Sequence, residues 1–315
     1  MSGVIDIFGN FLGSILYYLY NILGHDYGFA LIVFTVIVKL ILMPLNIKQI
    51  TSSMKMQELQ PELKRLQDKY KDDKEKLNQE MVKFFQTNNY NPANGCIMTF
   101  IQLPILIMLW QVISKPITHM IKGGEYIGKF FETFNIKDET SIFFNIAQDK
   151  VSNLLSMGVP ADVIEKIFDL QKGMHFLNIF NLARVPSYNP DVIFATPESK
   201  MVYLPLIIIP VLAALFTYIS SKMMMTAQGI NTTPTPNSKK TEATMPFDPV
   251  KTQKTMLLIG PIMTLVFAFQ LPAGLSLYWL AGYVFQVFQQ IYINKTIHEK
   301  KSVVELKKKE VEDSK

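Results

Sequence analysis

The chain has 315 residues, of which 49% are apolar and 18% charged, against roughly 25% charged residues in soluble domains. A mean hydropathy of +0.19 and the absence of Lys or Arg before Lys39 exclude a disordered or nucleic-acid-coating chain despite the net charge of +5. A single cysteine, Cys96, excludes an intrachain disulfide framework and any thiolate-clustered metal site.

Residues 1–26 lack the basic n-region of a signal peptide, and Ile5, Phe8, Leu12, Ile15, Leu16 and Leu19 recur at helical spacing. That pattern predicts an amphipathic helix on the outer face of a bilayer, with an uncleaved short span as the competing reading. A spanning helix needs about 20 mostly apolar residues. Five stretches approach that length: 27–45, 96–114, 202–219, 255–269 and 275–293. The fourth has only 15 residues and spans fully only where the bilayer is thin or the helix end is buried.

Residues 46–95 form the first long polar segment. Leu59, Leu63, Leu66 and Tyr70 make one helical stripe and Leu77, Met81, Phe84 and Phe85 another, separated by a turn at Lys71-Asp72-Asp73. A cytoplasmic helical hairpin is expected, with Pro61 breaking or kinking its first arm. Residues 115–201 form an extracytoplasmic segment of short helices, one over 160–171 stopped by Gly173, followed by a proline-rich loop over 178–197. Residues 220–254 form a cytoplasmic loop, flexible over 229–249, and residues 294–315 a basic cytoplasmic tail.

The fold class expected is an all-α integral membrane protein with five spans around a hydrophilic groove and a cytoplasmic hairpin. An odd number of spans puts the termini on opposite sides. With the N-terminus outside, twelve lysines within about 15 residues of a span collect on the cytoplasmic side, Lys48, Lys55, Lys251 and Lys295 among them. Lys115, Lys122 and Lys200 flank the outer ends. The positive-inside rule therefore places the N-terminus outside and the C-terminus in the cytoplasm.

Enzyme chemistry finds little footing. His25, His119, His175 and His298 all lie outside the spans, and no span contains Asp or Glu. A proton-coupled transporter needs an ionisable relay inside the membrane. A serine intramembrane protease would require a pairing such as Lys39 with Ser276, which no other feature supports. No metal-binding, phosphate-loop or dinucleotide motif occurs, so neither a metal nor a cofactor is expected.

Lys39 is the most informative residue. A lysine at a helix centre costs about 2.5–3.5 kcal/mol on an insertion scale. Snorkelling toward Asn46, roughly 10 Å away along the helix, is the bland explanation. Thr35 lies one turn further outward on the same face, which snorkelling does not need. Thr99 and Gln102 sit three apart on the second span, and Trp279, Tyr283, Gln286 and Gln290 follow a 4, 3, 4 spacing on the fifth. Interhelical hydrogen bonding is the simple reading of such stripes. Their presence on three spans suggests instead a wet cavity with one positive charge, suited to an acidic or polar peptide. Met54 and Met56, near the hairpin's base, are either ordinary core or an adaptable surface for substrate capture.

Several blocks carry a resemblance. The run Tyr27-Gly28-Phe29-Ala30-Leu31-Ile32 through Lys39-Leu40-Ile41-Leu42-Met43-Pro44-Leu45 resembles the first core span of the YidC/Oxa/Alb membrane insertases. Lys55-Met56-Gln57-Glu58-Leu59-Gln60-Pro61-Glu62 is similar to the start of that family's cytoplasmic hairpin, and Ile101-Gln102-Leu103-Pro104-Ile105 to its second span. Leu271-Pro272-Ala273-Gly274-Leu275-Ser276-Leu277-Tyr278-Trp279 with Gln289-Gln290 resembles its fourth-to-fifth turn. The blocks fall in the family's order.

The resemblance implies a non-enzymatic insertase and chaperone in the bacterial cell membrane. Its partners would be nascent membrane proteins and the lipid bilayer, with the Sec translocon and the ribosome as further candidates, and a monomer is compatible with it. It places Lys39 at the basic position of a substrate groove, Thr35 at a groove-lining position and Trp279 at an aromatic that contacts substrate. Thr99, Gln102, Tyr283 and Gln286 complete the expected lining, and an assembly chaperone working beside another translocase or a small-solute transporter are the competing functions. Lysine stands at 39 where the family usually has arginine, keeping the charge but losing the planar fork. Met98 replaces a common proline, Gly282 replaces a common asparagine, and the outer segment is longer than usual.

Overall fold

Helix α1 (Ser2–Ile22) leads through a turn at 23–26, where Gly24 and His25 adopt positive φ (78° and 61°), into α2 (Tyr27–Glu58). The computed structural model describes residues 2–70, 73–91, 104, 107–227 and 249–313. Most of the second expected span and of the 220–254 loop therefore lies outside the described residues.

α2 does not stop at Leu45; it carries Pro44 within it and runs on to Glu58. The break comes at Leu59, because Pro61 falls in the first turn of α3 (Gln60–Lys69). A proline there leaves no backbone donor unpaired, whereas a continuous helix would need its N–H. α4 (Lys74–Thr87) begins at Asp73, whose carboxylate accepts from the Lys76 N–H at 3.0 Å.

Short helices follow: a π-helical turn (Ile117–Ile121), α5 (Ile127–Phe134), α6 (Glu139–Asn145), α7 (Val151–Ser156) and α8 (Ala161–Gly173). β1 (His175–Phe176) pairs antiparallel with β2 (Phe180–Asn181). α9 (Pro190–Ile193) and α10 (Pro197–Leu206) precede α11 (Ile208–Ala227), and α12 (Pro249–Ala268) and α13 (Ala273–Asp313) end the chain. The break at Ile207 has a local cause: Pro210 has no N–H to donate to Leu206, four residues earlier. The segments Tyr27–Met56 and Pro197–Met225 are long and apolar enough to cross a membrane, and Ile259–Ala268 is a shorter apolar helix.

Two compact units are present. The first comprises residues 1–40, 101–217 and 260–283 and holds a continuous core. Leu16, Tyr20, Tyr27, Leu31, Leu109, Ile117, Phe130, Ile142, Ile167 and Leu170 are fully buried in it. The second comprises residues 41–100, 218–259 and 284–315. In it α3 packs on α4 through the expected stripes, with Leu63 and Leu77 buried. Lys55 Nζ donates to the Asn89 carbonyl at 3.1 Å.

In the first unit α1 packs on the π-helical turn through glycines. A Cβ on Gly13 would lie 2.4 Å from the His119 carbonyl oxygen, and one on Gly9 would lie 2.8 Å from the His119 ring. His119 is buried, and its Nδ1 is 2.9 Å from Asn10 Oδ1. The glycine face redistributes the expected stripe. Leu16 and Leu19 are buried and Leu12 and Ile15 pack against the core, but Phe8 is exposed, along with Ile7, Phe11, Tyr18 and Ile22.

Gly173 plays a different part from the expected stop. The helix includes it, and a Cβ there would lie 2.5 Å from the His25 carbonyl oxygen. Close approach of the α1–α2 turn is what requires it. Nearby, Asp169 accepts from the Tyr20 hydroxyl at 3.0 Å and lies 2.7 Å from His25 Nδ1.

Gly13→Ala should destabilise the chain by about 1–3 kcal/mol, the usual cost of overpacking. Gly128→Ala, with nothing within 4 Å, should be neutral or stabilise by up to about 1 kcal/mol. Thermal unfolding in detergent distinguishes the two. His119 gives a pH dependence. Burial holds its imidazole below the ordinary histidine value, opposed by Asp6 and reinforced by Lys115. The folded chain therefore binds fewer protons at this site than the unfolded chain. Its stability contribution is complete above the unfolded value of about pH 6.5 and is lost as the pH falls from there through the lower folded value. Melting temperatures compared at pH 7.5 and 5.5 should fall more for the wild type than for His119→Gln.

Candidate functional site

In α2, Leu40 and Ile41 point outward and are exposed, whereas Phe34 and Thr35 are buried. Thr35 spends its hydroxyl proton on its own helix, donating to the Leu31 carbonyl at 2.6 Å. It can offer a substrate only acceptor lone pairs, a restriction that spacing alone did not reveal. Lys39, one turn on, is half-buried. Among the described residues its ammonium makes no hydrogen bond or ion pair.

The residue that receives Lys39 is Gly282 of α13. A Cβ at 282 would lie 3.2 Å from Lys39 Cε, 3.7 Å from its Nζ and 3.9 Å from Thr35 Cγ2. Lys39, Thr35 and Gly282 thus meet within the first unit. From sequence Gly282 was only a departure from a family pattern. Its use is to leave room for the lysine stem against the backbone of α13. The available signal was a glycine inside an otherwise bulky apolar helix, which often marks close approach.

Trp279 and Tyr283 flank Gly282 on α13 and belong to the same unit; both are partly buried, and Trp279 packs against the core. Trp279 is three residues, about 4.5 Å of helix rise, from Gly282. Gln286 is partly buried in the second unit, where Gln290 donates to Asn294 Oδ1 at 2.7 Å. Met54 and Met56 also lie in the second unit, both partly buried. Thr99 and Gln102 lie outside the described residues. The structure therefore brings Lys39, Thr35, Trp279 and Tyr283 into one unit and places Gln286, Met54 and Met56 in the other.

Other polar groups in the apolar helices turn inward. Thr217 donates to the Ala213 carbonyl at 2.7 Å and faces Thr264 Oγ1 at 3.5 Å. Ser276 donates to the Ala268 carbonyl at 3.3 Å, so its proton is committed to the C-terminal end of α12 and not to Lys39. Among the described residues no group of His, Cys, Asp or Glu could hold a metal ion.

Long apolar helices that expose Leu, Ile and Phe and return most of their threonine and serine protons to nearby backbone carbonyls define a helical membrane protein. The family model described as 60Kd inner membrane protein matches residues 18–301, and the chain belongs to that family. It is similar to "Membrane protein insertase YidC" of Oceanobacillus iheyensis, 30% identical over 286 residues that cover 89% of this chain and 79% of that protein. "Membrane protein insertase YidC 2" of Listeria innocua is 28% identical over 285 residues, covering 89% of this chain and 68% of its own length. A YidC insertase of Clostridium perfringens is 49% identical over 96 residues, covering 30% of this chain and 40% of that protein. The family resemblance drawn from the sequence blocks is thereby borne out.

Gly282→Ala should be accommodated within about 0.5 kcal/mol, since the atom it meets is near the end of a flexible side chain. Gly282→Leu should displace Lys39, read as a severalfold change in acylation of Lys39 by peptide mapping at unchanged fold.

Proposed function

We propose that this protein is a membrane insertase that receives polar portions of nascent membrane proteins beside Lys39 and releases their apolar segments into lipid. The observation that carries the reading is the ammonium of Lys39, without a partner among the described residues and half-buried beside Thr35 and Gly282 in an apolar helix. Family membership and the printed names of the relatives support it. In this reading five spans cross the cell membrane, the N-terminus lies outside, and the spans enclose a hydrophilic groove lined by Lys39, Thr35, Thr99, Gln102, Trp279, Tyr283 and Gln286.

The chemistry is physical throughout. A short acidic or polar tail enters from the cytoplasm and trades water for the ammonium and for hydrogen-bonding side chains, Thr35 accepting and Gln102 donating. Its apolar segment then moves sideways into lipid, where hydrophobic transfer supplies the net drive. A short fourth span thins the bilayer locally and shortens the polar crossing. No nucleotide or covalent step enters. Met54 and Met56 of the hairpin region offer thioethers that adapt to varied apolar segments.

Purified protein in liposomes without another translocase provides the test. A small single-span substrate with an acidic tail should insert. Lys39→Arg should retain insertion, Lys39→Ala should lower its rate about tenfold, equivalent to about 1.4 kcal/mol, and Lys39→Glu should abolish it. Equal insertion by all three variants would remove the charge-attraction step. Failure of the wild type to insert any substrate would favour an assembly chaperone that needs a translocase, and solute flux would favour a transporter.

A further inference from the structure

We infer that the 177–204 region of the outer segment is a lipid-docking edge, whose apolar residues enter the headgroup region of the bilayer beside α10 and α11. The inference adds a lipid contact to the insertase reading and rests on two of its elements, that α11 crosses the bilayer and that the junction of α12 and α13 lies at the membrane surface.

The first observation is a hairpin tip of unusual composition. β1 and β2 are joined by a turn in which Leu177 and Asn178 both have positive φ (53° and 56°), with the Ile179 N–H donating to the Phe176 carbonyl at 3.2 Å. That geometry favours Asn, Asp or Gly. Here Leu177 and Ile179, 51% and 55% exposed, flank the single asparagine. A turn surrounded by water gains nothing from two exposed aliphatic side chains, one of them in left-handed backbone.

The exposed apolar surface continues along the chain. Tyr188 is 75% exposed, Phe194 60% and Met201 76%. Met201 begins the exposed series Leu204, Ile208, Val211 and Leu215, which runs down a segment long and apolar enough to span a membrane. β2 and α9 both pack on α10, so the tip and the loop adjoin the start of that series.

The second observation fixes the height of this surface. The carbonyls of Leu182 and Arg184 accept from the N–H groups of Gly274 and Ala273, both at 2.8 Å. Tyr188 packs edge-on against Phe269 with ring centroids 5.5 Å apart. The loop is thus fastened to the first turn of α13 and to Phe269, at the end of the apolar helix Ile259–Ala268. Apolar side chains held at that level meet the lipid interface.

The polar neighbours suit the same occupant. Arg184 donates to the Tyr203 hydroxyl at 3.1 Å, and Lys200 lies over the Phe194 ring at 5.9 Å. Basic side chains paired with aromatic rings are the usual furniture of a membrane interface. Asp191 and Glu198 balance Arg184 and Lys200, so attachment depends on apolar insertion and not on anionic headgroups.

The test uses the full chain in a Cys96→Ser background, with an environment-sensitive fluorophore at one introduced cysteine: Ile179→Cys, Phe194→Cys, Leu215→Cys or Lys137→Cys. Reconstitution is in phosphatidylcholine vesicles with and without phosphatidylglycerol. Labels at 179 and 194 should be quenched by lipid-borne nitroxide at least threefold more than at exposed position 137, with iodide quenching correspondingly weaker, in both lipid mixtures. Iodide quenching at 179 and 194 equal to that at 137 would overturn the inference. Shielding from both quenchers would also overturn it, assigning the surface to a protein partner or a second copy. Position 215 separates the two levels of failure. If lipid quenching fails there as well, the spanning reading of α11 fails; if it fails only at 179 and 194, the lipid-docking edge alone is wrong.

Discussion

Burying polarity in apolar helices has a fixed cost, and the way this chain meets it organises the rest of the structure. Where no water is available, a hydroxyl or amide must find a partner within its own helix or on a packed neighbour. Thr35 bonds to Leu31, Thr217 to Ala213 and Ser276 to Ala268, each returning a proton to nearby backbone. The rule has exceptions among the described residues, the buried Tyr27 and Ser114 hydroxyls and the Gln289 amide nitrogen, and Lys39 is the charged one. Its ammonium has no such internal partner among the described residues, and an uncompensated lysine near a helix centre costs about 2.5–3.5 kcal/mol.

Glycine determines how closely the helices supporting this charge can approach. Gly282 leaves the space that the lysine stem fills, Gly9 and Gly13 let α1 sit on the π-helical turn, and Gly173 admits the α1–α2 turn. In each case a single Cβ would fall at or inside contact distance of another element. In α1 the glycines continue into Leu16 and Tyr20 on one packed face, while other large apolar side chains, Phe11 and Ile22 among them, remain on the outside.

Periodicity made much of this legible. The stripes of residues 59–70 and 77–85 become the packed faces of α3 and α4, and Lys39 with Thr35 was readable as one helix face because a four-residue spacing allows no other placement. What escaped was set by contacts between segments distant in sequence. No pattern within α13 says that Gly282 faces a lysine some 240 residues earlier, since that depends on how α2 and α13 pack. Helix ends were legible only where chemistry was local. Pro61 marks a real break, whereas Pro44, in a helix whose other bonds compensate, marks none.

The segment between residues 115 and 201 shows why an apolar composition alone is a poor guide to what a membrane protein does with it. Its interior is built as in a soluble domain: Phe130, Ile142, Leu154 and Ile167 fill a core, and Glu139, whose carboxyl burial pushes above the usual range, receives the Thr118 N–H at 3.0 Å. Such a core needs no lipid. Yet the segment is hydrogen-bonded to the turn before α13 through Leu182 and Arg184 and leaves its large uncovered side chains close to that attachment. A folded body fixed to the ends of apolar helices limits how far those ends can part. An insertase must open a path into lipid without opening one across the bilayer. Holding helix ends together on one side meets the second of these requirements.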